Sequence, residues 1–215
     1  MIAPVPHEAL SMNSFKEIVA MQVDCVARWH HEPIDNPFFK DGLITSFLAI
    51  VCQQHQFNYL LWHEEDIARS PDVSDAKIAE VKRNIDRFNQ ARNDWIEKID
   101  DWITVDLEEK NIQNVADAKL NTETPGSAMD RLSIMALRIY HLDEQLTRVD
   151  IDQQHREKVN MRLAVCRLQQ KDLAQSLKEL LIDIYSTAKR HRTYRQMKMY
   201  NDPTLNPYLY GKSCE

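Results

Sequence analysis

The chain has 215 residues, of which 43% are hydrophobic and 28% charged, with a formal net charge of −6. That length suits one domain whose core removes roughly 70% of the unfolded surface from water, and the composition is too apolar for disorder. Three glycines are too few for the turns of an all-β or α/β fold, and the acidic balance argues against sequence-independent nucleic-acid binding as the main role.

The expected fold is all-α, a mostly antiparallel bundle of about five helices in a single domain, 1–215. Residues 1–40 give an N-terminal helix and loop, 41–198 the main bundle, and 199–215 an ordered, extended tail. The opening MIAPVPHEALSM lacks the basic region and long apolar stretch of a signal peptide. The first helix spans about Ser14 to Trp29, with Phe15, Val19, Gln22, Val26 and Trp29 on one face. A loop, HHEPIDNP, follows, and its Asn36-Pro37 resembles a helix cap followed by a first-turn proline.

The second helix carries the most informative pattern. Ile44, Leu48 and Val51 begin an apolar stripe that His55, Asn58, Trp62, Asp66 and Arg69 continue at steps of three or four residues. An unpaired buried polar group costs several kcal/mol, so a stripe that turns polar in phase marks either a pocket or an internal hydrogen-bond network. The third helix starts near Ser74, and its row from Ile78 to Trp102 is broken by Arg92, flanked by Asn89 and Asn93. A guanidinium in an apolar seam requires a carboxylate or an anionic ligand, and Asp66 is the simplest internal partner.

A loop of mixed polarity covers roughly Asp106 to Glu123. The fourth helix opens at Thr124 and Pro125 and packs through Leu132, Met135, Ile139, Leu142 and Leu146. Its free amides, with Thr124, Ser127 and Arg131, can hold a phosphate or carboxylate, although plain capping explains the same residues. Asp130, Arg138, His141 and Gln145 share an arc with Arg131. Asp150 and Gln153 mark the fifth helix in a capping-box-like arrangement. Its row runs from Val159 through Cys166 to Ile184, and the helix is expected to continue towards Tyr194.

The acid-free run from Lys189 to Lys198 reads either as a solvated helix end or as a patch for an acidic partner or anionic ligand. The tyrosines of the tail are expected to pack along the bundle. Cys25, Cys52, Cys166 and Cys214 form no CxxC pair, which suggests reduced thiols in a cytoplasmic protein. No run approaches the ~18 apolar residues of a membrane span.

Metal-centred signatures are incomplete. The Glu-x-x-His pairs of di-iron bundles are absent. All-helical nucleotide pyrophosphohydrolases are similar in class, yet Glu64-Glu65 is followed by Ala68 where their third acid belongs. Glu97 and Asp100 do have the spacing of their second cluster, but Glu97 reads as solvated. No serine elbow, P-loop or dinucleotide fingerprint occurs.

Four segments, LLWHEEDIARSPD, FNQARNDWIEKID, LNTETPGSAMDRLSIMALRIYHLDEQ and YRQMKMYNDPTLNPYLY, resemble the bacterial Domain of Unknown Function 4254 family. The resemblance covers about Gly42 to Tyr210. It implies a small helical protein, often encoded near glycosyltransferase genes for cell-surface polysaccharide, and assigns no catalytic residues.

The leading expectation is therefore a polar interhelical pocket for a small anionic molecule, a phosphorylated sugar or nucleotide-sugar. In it Arg69, Arg92 and Arg131 neutralise charge, Trp62 stacks, and His55 with Asp66 orients the ligand or transfers a proton, while Asn58, Asn93, Thr124, Ser127, Asp130 and His141 complete the candidate set. That reading needs no metal. A divalent ion enters only in the alternative, a metal-dependent phosphate-ester hydrolase with Glu65, Asp66, Asp130 and His141 as ligands. The third expectation is a helical scaffold or homodimer.

Overall fold

A computed structural model of the protein describes residues 14–40, 43–44, 46–199 and 202–210. The expectations for the first residues, for Tyr200, for Cys214 and for the side chains of Phe15 and Tyr210 lie outside the described residues. The elements are α1 (Ser14–Trp29), β1 (Phe39–Lys40), β2 (Leu43–Ile44), α2 (Phe47–Arg69), α3 (Asp75–Glu109), β3 (Lys119–Leu120), α4 (Pro125–Thr147), α5 (Gln153–Tyr185), β4 (Lys189–Arg190) and α6 (Pro207–Tyr210). The fold is all-α. No helix among the described residues is long and apolar enough to cross a membrane.

Side-chain oxygens begin four of the helices. Ser46, Ser74, Thr124 and Asp152 each accept the amide three residues on, satisfying a donor that the first turn leaves free. Several expected boundaries are corrected by this. Ile44 lies in the β1–β2 hairpin, ahead of α2. Asn36 caps no helix; its amide donates to the Ala49 carbonyl at 2.8 Å and its oxygen accepts from Phe38 N at 3.2 Å. The cap of α5 is Asp152, whereas Asp150 pairs with Arg148.

Helix α3 also runs further than expected, because Asp106 is buried and bonded to Lys110 and the Tyr185 hydroxyl. Helix α5 stops at Tyr185, well short of Tyr194, since Thr187 adopts a left-handed backbone with φ 64. The basic run beyond it is an extended strap and not a helix end. Lys189 and Arg190 pair in parallel with Lys119 and Leu120, and Arg195 then bonds Asp101 at 2.7 Å and Glu97 at 3.1 Å. Glu97, which also accepts Gln196 N at 2.8 Å, is thus a docking point for the strap instead of a solvated acid. The tail turns into α6, and Tyr208 is 87% exposed, so that tyrosine does not pack on the bundle.

Helix directions follow from which residues meet. Phe47 touches Trp102, Phe57 touches Phe88, and Glu64 accepts from Asn84, so α2 and α3 are antiparallel. Leu146 near Arg156 and Asp143 near Arg167 give the same relation for α4 and α5. Cys25 lies 3.9 Å from Cys52, and His30 meets both His63 and Tyr140, so α1, α2 and α4 run in one direction. The core fills the space between them with Ile18, Val26, Val51, Ile99, Met129, Leu132 and Leu137.

Gly126 sets how closely α3 approaches α4. A Cβ there would stand 2.6 Å from the Ile96 carbonyl oxygen and 3.0 Å from the Asp100 carboxylate. Because the nearer obstacle is backbone, Gly126→Ala forces the helices apart. Chemical denaturation is expected to register a loss of about 1–3 kcal/mol, and an unchanged midpoint would contradict the close approach.

Candidate functional site

The polar half of the stripe leads inward to one carboxylate. Asp130 of α4 is 5% exposed and accepts from Arg92 Nε at 2.7 Å, Gln54 Nε2 at 2.6 Å and Asn58 Nδ2 at 2.8 Å. A second Arg92 nitrogen bonds its other oxygen, giving a bidentate pair. Asp66 is therefore not the partner of Arg92; it is exposed on the surface of α2. Asn58 also donates to Ser133 Oγ at 2.8 Å, and Ser133 lies 2.6 Å from His55 Nδ1. The other His55 nitrogen donates to the Gln22 carbonyl at 2.9 Å, since a carbonyl can only accept. One network thus joins α1, α2, α3 and α4.

His55 is fully buried, and desolvation lowers its pKa to about 3. It is a neutral member of the network, so the expected contact between His55 and a ligand is corrected. Above the network lies a cleft of about 430 Å³, within the size range of small-molecule sites. Asn58, Trp62, Asp66, Arg69 and Arg92 line it, joined by Asn89 and Glu65. Seven of the side chains singled out in the sequence therefore share one hollow, built between α2, α3 and α4.

The remaining candidates lie elsewhere. Arg131 pairs with Glu123, and Asn93 does not line the cleft. The α4 start is filled from within: Thr124 Oγ1 accepts Ser127 N at 3.1 Å, while Gly126 N donates to Asp100 Oδ1 at 2.8 Å. Burial raises the Asp100 pKa to about 6, partly offset by hydrogen bonding from the Thr124 side chain and the Gly126 amide. An internal carboxylate thus occupies the place expected for a ligand anion. Arginine charge is also committed, with Arg69 held 2.9 Å from Glu65 on the surface.

Metal chemistry does not gather on the expected acids. Asp130 is saturated by its donors, and Glu65 and Asp66 stand on the cleft wall away from it. His141 lies behind the wall, its ring stacked on Trp62 at 4.8 Å and 7°. It meets His30 and His63, two residues outside the candidate set drawn from the sequence. Their signal was faint: His63 stands one step off the stripe, and His30 sits in an expected loop.

The arrangement defines a class: a helical-bundle protein with a buried ionic network beneath a tryptophan-walled cleft. The chain belongs to the family described as Protein of unknown function (DUF4254), whose model matches residues 48–193. That span takes in α2, α3, α4 and α5 and hence the whole cleft. No curated protein and no solved structure matches the chain.

Two outcomes follow from the network. Arg92→Met strands the Asp130 carboxylate, and urea unfolding should show a loss of about 3–5 kcal/mol, most of it restored when Asp130→Leu is added. A stable single variant would mean that the pair is dispensable. Acid sensitivity is the second. The unfolded chain protonates this histidine near pH 6.5 while the folded His55 resists until about pH 3, so the unfolded state binds more protons between those values. Stability is then complete above pH 6.5 and falls below it, by at most about 1.4 kcal/mol per pH unit from His55. Asp100 works in the opposite sense between about pH 6 and its ordinary range. Urea midpoints measured from pH 7 to pH 4 should slope less in His55→Gln than in the parent.

Proposed function

We propose that the cleft binds a small hydroxylated anion, a phosphorylated sugar or nucleotide-sugar, in a protein that serves cell-surface polysaccharide metabolism. The observation that carries this reading is the shared cleft of Trp62, Asn58, Asn89, Asp66 and Arg69. The wall presented by Trp62 suits the apolar face of a sugar ring or a nucleobase. Amide and carboxylate groups suit hydroxyls, and their positions on two long helices keep them preorganised.

Charge recognition falls to Arg69. Its pair with Glu65 is solvent-exposed, and such pairs contribute little, so a phosphate can take the guanidinium over at small cost. Arg92 contributes position more than charge, because Asp130 already neutralises it. The ligand charge would therefore sit towards the α2 end of the cleft, and the ring would lie deeper, over Trp62.

Thermal shifts across hexose phosphates, nucleotide-sugars and nucleotides test the proposal. Ligand at about 100 times Kd stabilises by about 2.7 kcal/mol, a rise of roughly 5–11 °C for a chain of this size. Trp62→Ala and Arg69→Ala should each abolish the rise while leaving the free protein folded. A panel that moves neither the parent nor its variants rejects this reading.

A further inference from the structure

We propose that His30, His63 and His141 form a binding site for one divalent transition-metal ion of the zinc type, with a coordination position left open. One ring nitrogen from each lies within 4.8 Å of one from the others. A tetrahedral ion with bonds of about 2.0–2.1 Å holds its nitrogens about 3.4 Å apart, so side-chain rotation of about an ångström closes the set.

Hydrogen bonding dictates which nitrogens are free. His30 Nδ1 lies 2.7 Å from the Val26 carbonyl, and His141 Nδ1 lies 3.2 Å from a Glu144 carboxylate oxygen. Both partners only accept, so in the uncharged tautomers both Nδ1 atoms carry the hydrogen and both Nε2 atoms present bare lone pairs. The Nε2 atoms of all three histidines are buried with no hydrogen-bond partner among the described residues. His63 can donate to at most one neighbour, so at least one buried lone pair stays unmet in the neutral cluster. A cation answers all three at once.

The surroundings agree with this assignment. A carboxylate and a backbone carbonyl on the far ring nitrogens are the groups that orient histidine ligands and raise their basicity. Burial and the two neighbouring imidazoles lower the His63 pKa, which keeps its ring neutral. Three imidazole ligands favour zinc, copper, nickel or cobalt over magnesium or calcium. Helices α1, α2 and α4 run in one direction, so their negative C-terminal ends lie at the end of the bundle that holds the cluster. Through Trp62, stacked on His141, the ion would sit directly behind the cleft wall. This site stands independently of the ligand proposed for the cleft.

The test uses the full chain, stripped with a chelator and titrated with Zn²⁺ or Co²⁺ alone. One equivalent should bind per chain, with a tetrahedral cobalt absorption spectrum and a raised melting temperature on adding zinc. His63→Gln and His141→Gln should each remove one-equivalent binding, and His31→Gln, at an exposed neighbouring position, should leave it intact. Glu144→Gln retains all three ligands on a surface residue that can be changed without unfolding, and should weaken affinity by about 10–100-fold. Absence of stoichiometric binding by the parent overturns the site. So does binding that is unaffected by changes at His63, His141 and Glu144, which would leave the three rings as packing alone.

Discussion

A single buried carboxylate organises this molecule. Asp130 sits where α2, α3 and α4 come together and draws a donor from two residues of α2 and the guanidinium of α3. An isolated ionised carboxyl in such a place would be costly, which makes the partners mutually obligatory. Gln54, Asn58 and Arg92 must each present a particular face of a particular helix, so the rotation of α2 and α3 about their axes is set by one acid. The same rotation turns Trp62 and Arg69 into the cleft. The polar network and the hollow above it are consequences of one constraint.

A second constraint lies in the connections. The link from α1 to α2 carries the β1–β2 hairpin and returns the chain to the end from which α1 began. Because α2 then runs parallel to α1, and α4 parallel to both, residues at similar heights meet: Cys25 with Cys52, Gln22 with Met129, His30 with His63 and His141. Antiparallel up-and-down winding would have scattered these pairs. The strap after α5 contributes in its own way, since Arg195, Gln196 and Lys198 run along α3 and meet Asp101, Glu97 and the Asn89 carbonyl. Helix α3 is thus held by the strap as well as by the network.

The sequence conveys the helices far better than their company. Periodicity and low glycine content were enough for the fold class, α1 was bounded correctly, and Thr124-Pro125 marked the α4 start because capping is a local property. Arg92 also announced itself, since a cation inside an apolar row demands a carboxylate. Which carboxylate was not a local matter: Asp66 and Asp130 were equally suitable by chemistry, and the choice depended on helix order and rotation. The stop of α5 gave no warning, as Ser186-Thr187 contains neither glycine nor proline. The chain leaves the helix there and its cations meet the acids of α3, a tertiary preference that overrides helix propensity. His30 and His63 escaped notice for the same reason as Asp130: their meaning lies in proximity.

The buried network and the histidine cluster both lie on the three parallel helices α1, α2 and α4, and the network reaches α3 as well through Arg92. The network is closely paired: Asp130, Asn58, Ser133 and His55 find partners on neighbouring helices, and removing one leaves another unpaired, although the Gln54 side-chain oxygen has no partner among the described residues. The cluster leaves more open, with three buried ring nitrogens that find no hydrogen-bond partner among the described residues. Trp62 belongs to both regions, with His141 against its ring and the cleft beside it. A ligand packed on Trp62 and an ion held by His141 would meet through this one pair of stacked rings. Whatever one of them changes in the other's affinity must be returned in equal measure, because linkage between two binding equilibria is reciprocal.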